Sequence, residues 1–206
     1  MKLNLVEKTL VNNPIRGLML ERSVRRLHRL AGAPHLVRIL EIGCGQGDGV
    51  RAIARLLAPR SLTAFDLDEA MVERARRRLA DLSGSGHDLR LFVGDGERIE
   101  AADGAFDGVL EFTIFHHIPD WRLAQREVAR VLRPGGFFLF EELSRELFFE
   151  SMVGWPLRRF SVHPWATMFN EGEFRDGLIA AGLDLLVFER AMPIRGWRFG
   201  VARKRG

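Results

Sequence analysis

The sequence predicts an α/β fold in which a doubly wound, mostly parallel sheet of seven strands ends in an antiparallel hairpin. Three observations predict it. Short apolar and β-branched runs alternate with amphipathic helical patterns, which is typical of βαβ units. A glycine-rich stretch follows the first strand and precedes a helix. Only residues 191–194 join the last two strand candidates, and so short a link cannot form a parallel crossover.

Composition fits one globular domain. The chain has 206 residues, of which 47% are apolar and 28% charged, so it can bury a sizeable core and does not resemble a disordered chain. No run approaches the roughly 20 apolar residues of a membrane span, and residues 1–14 lack the pattern of a signal peptide. We therefore expect a cytoplasmic protein. Cys44 is the only cysteine, which excludes an internal disulfide and a cysteine-rich zinc site, and we expect no metal.

The charge is unevenly distributed along the chain. The net charge is +4, but residues 1–40 and residues 190–206 each carry +6, so residues 41–189 carry −8. The basic ends could serve an anionic partner. The acidic middle favours a cationic ligand over a phosphate chain, which argues against nucleic acid.

The first predicted element is an N-terminal helical cap within residues 1–32, with a helix from Pro14 to about residue 31. One face of this helix is apolar and another is basic. The apolar face carries Leu20, Val24, Leu27 and Ala31, and the basic face carries Arg22, Arg25, Arg26 and Arg29. Two interpretations of the basic face stay open, namely a solvated surface and a peripheral contact with anionic lipid.

Residues 33–142 form the predicted core, in which strands alternate with helices. The strands are expected at 37–42, 62–67, 89–93, 106–112 and 137–141, and the helices at about 47–58, 68–82 and 120–132. Residues 143–169 break the alternation and form a lid-like insertion. Residues 170–206 resume it with a helix at 171–181, closed by Gly182, and the final strands at about 183–190 and 195–203.

The loop after the first strand predicts a ligand site. Gly43, Gly45 and Gly47 allow a sharp turn and the close approach of a ligand to the backbone. Asp48 stands at the last glycine position of the dinucleotide fingerprint, and no Gly-Lys-Ser/Thr sequence follows for a nucleoside triphosphate. An acid beside the loop would also repel a pyrophosphate. The loop therefore favours a nucleoside without phosphates.

Acidic residues end the next two strands. Asp66 lies 23 residues after Gly43, near the spacing at which a carboxylate accepts hydrogen bonds from ribose hydroxyls. Asp95 and Glu97 follow the third strand at the same sheet edge. Each acid has a purely structural alternative. Asp66 could cap the following helix, and Asp95 could form a type I turn.

These segments resemble the class I S-adenosylmethionine-dependent methyltransferase superfamily, and specifically its small ubiquinone/menaquinone-biosynthesis-like (type 11) branch. They occur in the family's order and spacing over roughly 110 residues. The matching segments are ILEIGCGQG at 39–47, LTAFDLDEAMVERAR at 62–76, VGDGERI at 93–99, FDGVLEFTIFHHIPD at 106–120 and EVARVLRPGGFFLFEE at 127–142. The resemblance implies a Rossmann-like fold, S-adenosyl-L-methionine as the cofactor and methyl transfer as the reaction.

The resemblance also implies a role for individual residues. Gly43, Gly45 and Gly47 would underlie the methionine end of the cofactor, with Glu41 near its ammonium group. Asp66 would bind the ribose hydroxyls and Leu67 would line the adenine pocket. Asp95 and the Gly96 amide would contact the adenine, and Glu111 would border the sulfonium. Cys44 is expected only to fit the loop, and the pair His116 and His117 to pack under the following helix.

The general base and the acceptor are less constrained. Glu141, at the end of the fifth strand, and His163 are the candidate bases, although Glu141 could be merely solvated and His163 could only shape a turn beside Pro164. The insertion at 143–169 is rich in aromatic residues and is either a cover over an apolar acceptor site or a satellite core. Its aromatic residues are Phe148, Phe149, Trp155, Phe160, Trp165 and Phe169.

Methyl transfer to a small, apolar molecule is the leading hypothesis. A second hypothesis is an RNA or protein methyltransferase that docks through the basic ends. However, Phe112 stands where amino-methylating nucleic-acid enzymes carry Asn or Asp, and the Pro-Cys nucleophile of cytosine-C5 enzymes is absent. A third hypothesis is a nucleoside-binding protein without catalysis. A nicotinamide-dependent oxidoreductase is the weakest candidate because of Asp48.

Overall fold

The computed structural model describes residues 14–82, 88–152, 154–155, 158 and 164–206. Its elements alternate as the sequence predicts. The helices are α1 (Pro14–Leu30), α2 (Asp48–Leu57), α3 (Glu69–Arg78), α4 (Trp121–Val131), α5 (Arg145–Glu150) and α6 (Glu171–Ala180). The strands are β1 (Arg38–Ile42), β2 (Ser61–Asp66), β3 (Asp88–Val93), β4 (Phe106–Phe112), β5 (Leu132–Leu143), β6 (Leu183–Arg190) and β7 (Trp197–Lys204).

The strands form one seven-stranded sheet in the order β3-β2-β1-β4-β5-β7-β6. Neighbouring strands from β3 to β5 are parallel, whereas β7 is antiparallel to both β5 and β6. The predicted fold class is therefore confirmed, including the antiparallel C-terminal hairpin. The order β5-β7-β6 adds that the last strand lies between the two that precede it.

Three local predictions differ from the structure. The fifth strand is longer than the predicted 137–141, because Leu132 already pairs with Phe106 before the Pro134-Gly135 turn interrupts the register. The residues just after β5 are helical over Arg145–Glu150, although the whole insertion was expected to be irregular. The seventh strand begins at Trp197, two residues after its predicted start.

A hydrophobic core lies on each face of the sheet. One core includes Leu20, Val24 and Leu27 of α1, so the predicted apolar face of that helix is buried. Helix α1 packs against α2 and also contacts β5 and β7. Among the described residues, no helix is long and apolar enough to cross a membrane. Because β1, β2, β3, β4 and β5 are parallel, their carboxyl ends meet at one sheet edge, and this edge carries the candidate site.

Candidate functional site

The loop after β1 is a tight, glycine-dependent bend. Gly43, Gly45 and Gly47 all have positive φ angles, of 74°, 51° and 94°. The amides of Gly43 and Cys44 both donate to the carbonyl oxygen of Phe65 at 2.9 Å. A Cβ atom on Gly43 would lie 2.5 Å from the side chain of Ile114, so only glycine fits there. The loop thus presents bare backbone at the sheet edge.

The carboxylate of Asp66 fastens this loop to the end of β2. Its Oδ2 atom accepts a hydrogen bond from the Gly45 amide at 2.9 Å, and its Oδ1 atom accepts one from the Asp68 amide at 2.9 Å. The cap of α3 is Asp68, whose side chain accepts from the Ala70 amide. The alternative in which Asp66 caps that helix is therefore wrong, and Asp66 is held at the edge of the crevice instead.

A cavity of about 220 Å³ opens beside this carboxylate. Its lining brings together five of the predicted cofactor residues, which are Gly43, Asp66, Leu67, Asp95 and Gly96. Leu67 is 42% exposed at the cavity wall, which is more than a leucine at a closed core position would be. Acidic groups at the mouth and apolar walls suit a nucleoside. Sequence reasoning did not assign the rest of the lining to the site; it includes Phe65, Met71, Ile118 and Pro119, and also His117, which was expected only to pack.

Asp95 combines a structural role with its place in the cavity. Its Oδ1 atom accepts a hydrogen bond from the Glu97 amide at 2.9 Å, and its backbone pairs with that of Arg98. The turn that formed the alternative interpretation is therefore present. The same residue nevertheless lines the cavity, so the turn and a contact with a ligand are compatible.

Glu41 lies beneath the glycine loop and is nearly inaccessible to solvent. Its Oε2 atom has no hydrogen-bond partner among the described residues. A Cβ atom on Gly49 would lie 2.0 Å from Oε1, so the first turn of α2 can pass Glu41 only because residue 49 is glycine. Burial raises the pKa of Glu41 well above its usual value, and Asp48 and Asp66 add to the rise while Arg16 opposes it. A buried, incompletely bonded carboxyl group is suited to a cation.

Arg16 in the first turn of α1 brings a positive charge to the same crevice. It interacts electrostatically with Glu141, Asp48 and Glu41. Burial lowers the pKa of Arg16, and the three carboxylates act in the opposite direction. Sequence reasoning missed this residue. A signal was present, because Arg16 precedes Leu20 and Leu27 at helical spacing and so stands on the buried face of α1.

Two further carboxyl groups end β4 and β5. Glu111 is fully buried; its Oε2 atom accepts from the Ile114 amide at 3.1 Å, and its Oε1 atom has no partner among the described residues. Burial raises the pKa of Glu111 well above its usual value, and the neighbouring charge of Glu142 raises it further. Glu142 accepts a hydrogen bond from the Phe115 amide at 2.6 Å. The two strand ends thus place an acidic pair behind the cavity.

The histidine pair connects this acidic pair with the cavity. His116 Nδ1 is hydrogen-bonded to Glu142 Oε1, and both side chains are buried. The ring of His117 packs on the ring of His116 with centroids 4.2 Å apart, and His117 lines the cavity. His116 packs and hydrogen-bonds, as was predicted for the pair. His117 packs on His116 and also lines the cavity.

Glu141 points away from this pair and is bonded on its own side of the sheet. Its Oε1 atom accepts from the Trp197 Nε1 atom at 2.8 Å, and the Ser23 side chain forms a second hydrogen bond with it. Glu141 is buried, so the alternative in which it is merely solvated is wrong. Burial raises its pKa, which these bonds and Arg16 oppose. The other candidate base, His163, lies outside the described residues.

The described part of the insertion has a small hydrophobic cluster of its own. Leu147, Phe148 and Met168 are buried in it, with Leu143, Trp165 and Ile194 packed against them. The satellite core that the sequence left open is therefore present. The predicted cover over an acceptor stays a prediction, since the insertion is described only in part. Cys44 is buried, and burial raises the pKa of its thiol, which does not favour a reactive thiolate. The described residues contain no group that could hold a metal ion.

Residues 39–136 match a family model described as a methyltransferase domain. Over 128 residues the chain is 38% identical to phthiotriol/phenolphthiotriol dimycocerosates methyltransferase 1 of Mycobacterium ulcerans, which covers 60% of this chain and 45% of the relative. Over 105 residues it is 38% identical to a fatty-acid O-methyltransferase of Mycolicibacterium smegmatis, which covers 51% of this chain and 36% of the relative. The chain thus spans less than half the length of these relatives.

A solved structure is similar over nearly the whole chain. It is a SAM-dependent methyltransferase from Aquifex aeolicus, with a TM-score of 0.73, 18% sequence identity and coverage of 98% of each chain. At this identity the likeness establishes the fold. It includes the antiparallel end of the sheet, because it extends beyond the matched domain at 39–136.

Proposed function

Because residues 39–136 match a methyltransferase-domain family, we propose that the chain is a class I S-adenosylmethionine-dependent methyltransferase that transfers a methyl group from S-adenosyl-L-methionine to a small, apolar, lipid-like acceptor. S-Adenosyl-L-methionine is the cofactor of this superfamily. The more specific assignment to the ubiquinone/menaquinone-like branch stays a prediction.

The observation that carries the proposal is the buried Oε2 atom of Glu41, which has no hydrogen-bond partner within the part of the chain that the structure describes and lies beneath a glycine loop at a nucleoside-sized cavity. An unsatisfied buried carboxyl oxygen is costly in a folded protein and usually indicates a missing partner. An ammonium group supplies such a partner. The donor set therefore fits a ligand that has a cationic amino acid at one end and a nucleoside at the other.

The residues that would hold each end are separate. Asp66 would bind the ribose hydroxyls, while Leu67, Asp95 and Gly96 would contain the base. The three loop glycines and Glu41 would hold the amino acid end. Arg16 and the ionised form of Glu41 would carry opposite charges in one crevice, which matches the carboxylate and the ammonium group of an α-amino acid.

The bound cofactor supplies an electrophilic methyl group on a positively charged sulfur. The chain's own task is to align the acceptor with that group and to exclude water. Glu111 is the predicted neighbour of the sulfur, and burial raises its pKa, which favours the neutral carboxyl group before a cation arrives. The cation would in turn favour its ionised form.

An acceptor hydroxyl or carbon acid must also lose a proton. Glu141 and His163 remain candidate bases. The hydrogen-bonded pair of His116 and Glu142 is a further candidate, because it reaches the cavity wall through His117. A carboxylate bonded to one ring nitrogen orients the imidazole.

The apolar acceptor is supported by two observations. Two relatives that cover half of the chain or more are named for phthiotriol dimycocerosates and for fatty acids. The sequence beyond the matched domain contains the aromatic insertion, in whose described part Phe148 lies 6.0 Å from the His116 ring and Trp165 packs on Phe148. An apolar acceptor would find suitable partners there.

Transfer of isotopically labelled methyl groups tests this proposal. The purified chain is incubated with labelled S-adenosyl-L-methionine and, in parallel, with a lipid extract, fatty acids, long-chain alcohols, RNA and protein. We expect label in an organic-soluble product. Label in RNA or protein would support docking through the basic ends instead, and tight cofactor binding without any labelled product would support a non-catalytic nucleoside-binding protein.

A further inference from the structure

Three apolar side chains at 149–155 are exposed to an unusual degree. Phe149 is 42% exposed, Met152 is 96% exposed and Trp155 is 68% exposed. The preceding residues Leu147 and Phe148 are buried in the satellite core. We call Phe149, Met152 and Trp155 the 149–155 patch. Exposed apolar groups that are clustered in this way commonly mark an interaction surface.

The 149–155 patch is compact because the chain turns back on itself there. Ser151 Oγ donates to the Leu147 carbonyl oxygen at 2.6 Å and accepts from the Gly154 amide at 2.9 Å. A Cβ atom on Gly154 would lie 1.8 Å from the Leu147 carbonyl oxygen, so this return places Trp155 directly beside the end of α5. The three exposed side chains therefore lie on a short stretch of chain that is folded back against α5.

Positive charge surrounds the 149–155 patch. The guanidinium groups of Arg145 and Arg158 lie 5.1 and 4.8 Å from the centroid of the Phe149 ring. Arg195 pairs with Glu150 at 3.0 Å, so the local balance of these four charges is positive. Aromatic and apolar groups surrounded by arginine are typical of surfaces that lie in the headgroup region of a membrane with anionic lipids.

A row of ring contacts leads from the 149–155 patch towards the cavity. Phe149 contacts Trp165 with centroids 5.7 Å apart, and Trp165 contacts Phe148 at 5.3 Å. Phe148 lies 6.0 Å from the ring of His116, which packs on His117 at the cavity wall. These ring contacts connect the patch with the histidine pair at the cavity wall.

We propose that the 149–155 patch, with Arg145 and Arg158, docks on the surface of an anionic phospholipid bilayer and that the apolar acceptor enters from there. The entry of the acceptor rests on the proposed function, whereas the docking does not. The occupant is a lipid surface because the apolar centre and the cationic surroundings match its two layers. This surface differs from the basic face of α1, which the sequence suggested for lipid contact and on which Arg26 is already paired with Glu189.

Co-sedimentation of the full chain with vesicles tests the docking, without cofactor or acceptor. One set of vesicles contains phosphatidylcholine alone, and in the other phosphatidylglycerol replaces part of it. We expect binding to the anionic vesicles only. The double variant M152S/W155S should bind at least about tenfold more weakly, because two apolar side chains no longer enter the interface. The double variant R145Q/R158Q should bind the anionic vesicles about tenfold more weakly or worse, since each arginine near such a surface strengthens binding several-fold.

The control variant is Leu186→Ser, because Leu186 is 54% exposed on β6 and lies outside the patch. It should bind vesicles like the unmodified chain. Binding of S-adenosylhomocysteine by every variant verifies that each is folded. Equal binding to neutral vesicles, no binding to either set, or binding that M152S/W155S leaves unchanged would overturn the proposal. So would self-association that only M152S/W155S abolishes. Methyl transfer that persists without vesicle binding would contradict the docking proposal but not the proposed function. Vesicle binding without methyl transfer would contradict the proposed function but not the docking.

Discussion

The Oδ2 atom of Asp66 lies 2.9 Å from the amide nitrogen of Gly45, so one carboxylate joins the end of β2 to the glycine loop that follows β1. The other oxygen of Asp66 holds the amide of Asp68, which caps the next helix. Both bonds orient the carboxylate at the margin of the cavity. The residue that is proposed to bind the ribose is therefore positioned before any ligand arrives, and pre-organisation of this kind lowers the cost of binding.

Replacing Asp66 by alanine should weaken the binding of S-adenosylhomocysteine by about 100-fold, because two charge-assisted hydrogen bonds are lost. Calorimetric titration measures the effect. The control is Asp120→Ala, which removes the capping hydrogen bond to the Leu123 amide in α4. This variant should lose about 1 kcal/mol of stability but should bind S-adenosylhomocysteine as tightly as the unmodified chain. Unchanged affinity in Asp66→Ala would refute the assignment.

Binding of the cofactor should release a proton from Glu41. Burial raises the pKa of this carboxyl group, so it is largely protonated in the free protein below that raised pKa. An ammonium group favours the ionised form and lowers the pKa again. Affinity should consequently rise with pH up to the raised pKa, and calorimetry in buffers of different ionisation heat should detect the released proton. Glu41→Gln should reduce the release by the proton of Glu41, and an undiminished release in that variant would assign the proton to another group such as Glu111.

The ligand-free protein should lose stability as pH rises. Burial raises the folded-state pKa values of Glu41, Glu111 and Glu141, so the folded state holds more protons than the unfolded state. This contribution is complete below the unfolded pKa and is lost as pH rises through each folded pKa. Denaturant unfolding across pH measures it. Glu111→Gln should make the dependence shallower, and the same steepness in that variant would contradict the assigned burial effect.

Arg16→Gln should weaken the binding of S-adenosyl-L-methionine by about 10- to 100-fold, because a charged hydrogen-bond donor to the carboxylate of the cofactor's methionine end is lost. Decarboxylated S-adenosylmethionine is the matched ligand. The unmodified chain should bind it more weakly than the intact cofactor, whereas Arg16→Gln should hardly distinguish the two. Arg22→Gln, on the exposed face of the same helix, is the control. An undiminished preference for the intact cofactor in Arg16→Gln would exclude Arg16 from carboxylate binding.

Gly49→Ala should disturb Glu41 directly. The new Cβ atom would lie 2.0 Å from Glu41 Oε1, so the carboxyl group or α2 has to move. We expect a loss of stability of about 1–3 kcal/mol, as for other overpacked interiors, together with weaker cofactor binding. Gly17→Ala is the control, because its Cβ atom would meet no heavy atom closer than 4.0 Å. Chemical denaturation that places the two variants at equal stability would contradict this geometry.

The sequence predicted most of the fold because periodicity and the short final link depend on local chemistry alone. It did not predict that β7 lies between β5 and β6, since a short link requires antiparallel strands but does not say on which side the hairpin joins the sheet. The early start of β5 was missed because Pro134 and Gly135 normally end a strand, whereas here the register shift accommodates them.

The sequence predicted those site residues that follow the end of a strand. It missed those that tertiary packing brings to the site. Glu141 and Glu142 are adjacent, and successive strand residues point to opposite faces. Sequence alone named Glu141 but could not say that Glu142 faces His116 while Glu141 faces Trp197. Arg16 was missed because its partners come from β1, α2 and β5, far along the chain.

Titration of the purified chain with S-adenosylhomocysteine, NADH and ATP tests the central claim, which is that the crevice at the ends of β1 to β4 binds an adenosyl amino acid without phosphates. We expect saturable binding of S-adenosylhomocysteine that Asp66→Ala weakens, and no competition from NADH or ATP. Binding of NADH or ATP to the same crevice, with S-adenosylhomocysteine excluded, would contradict the account.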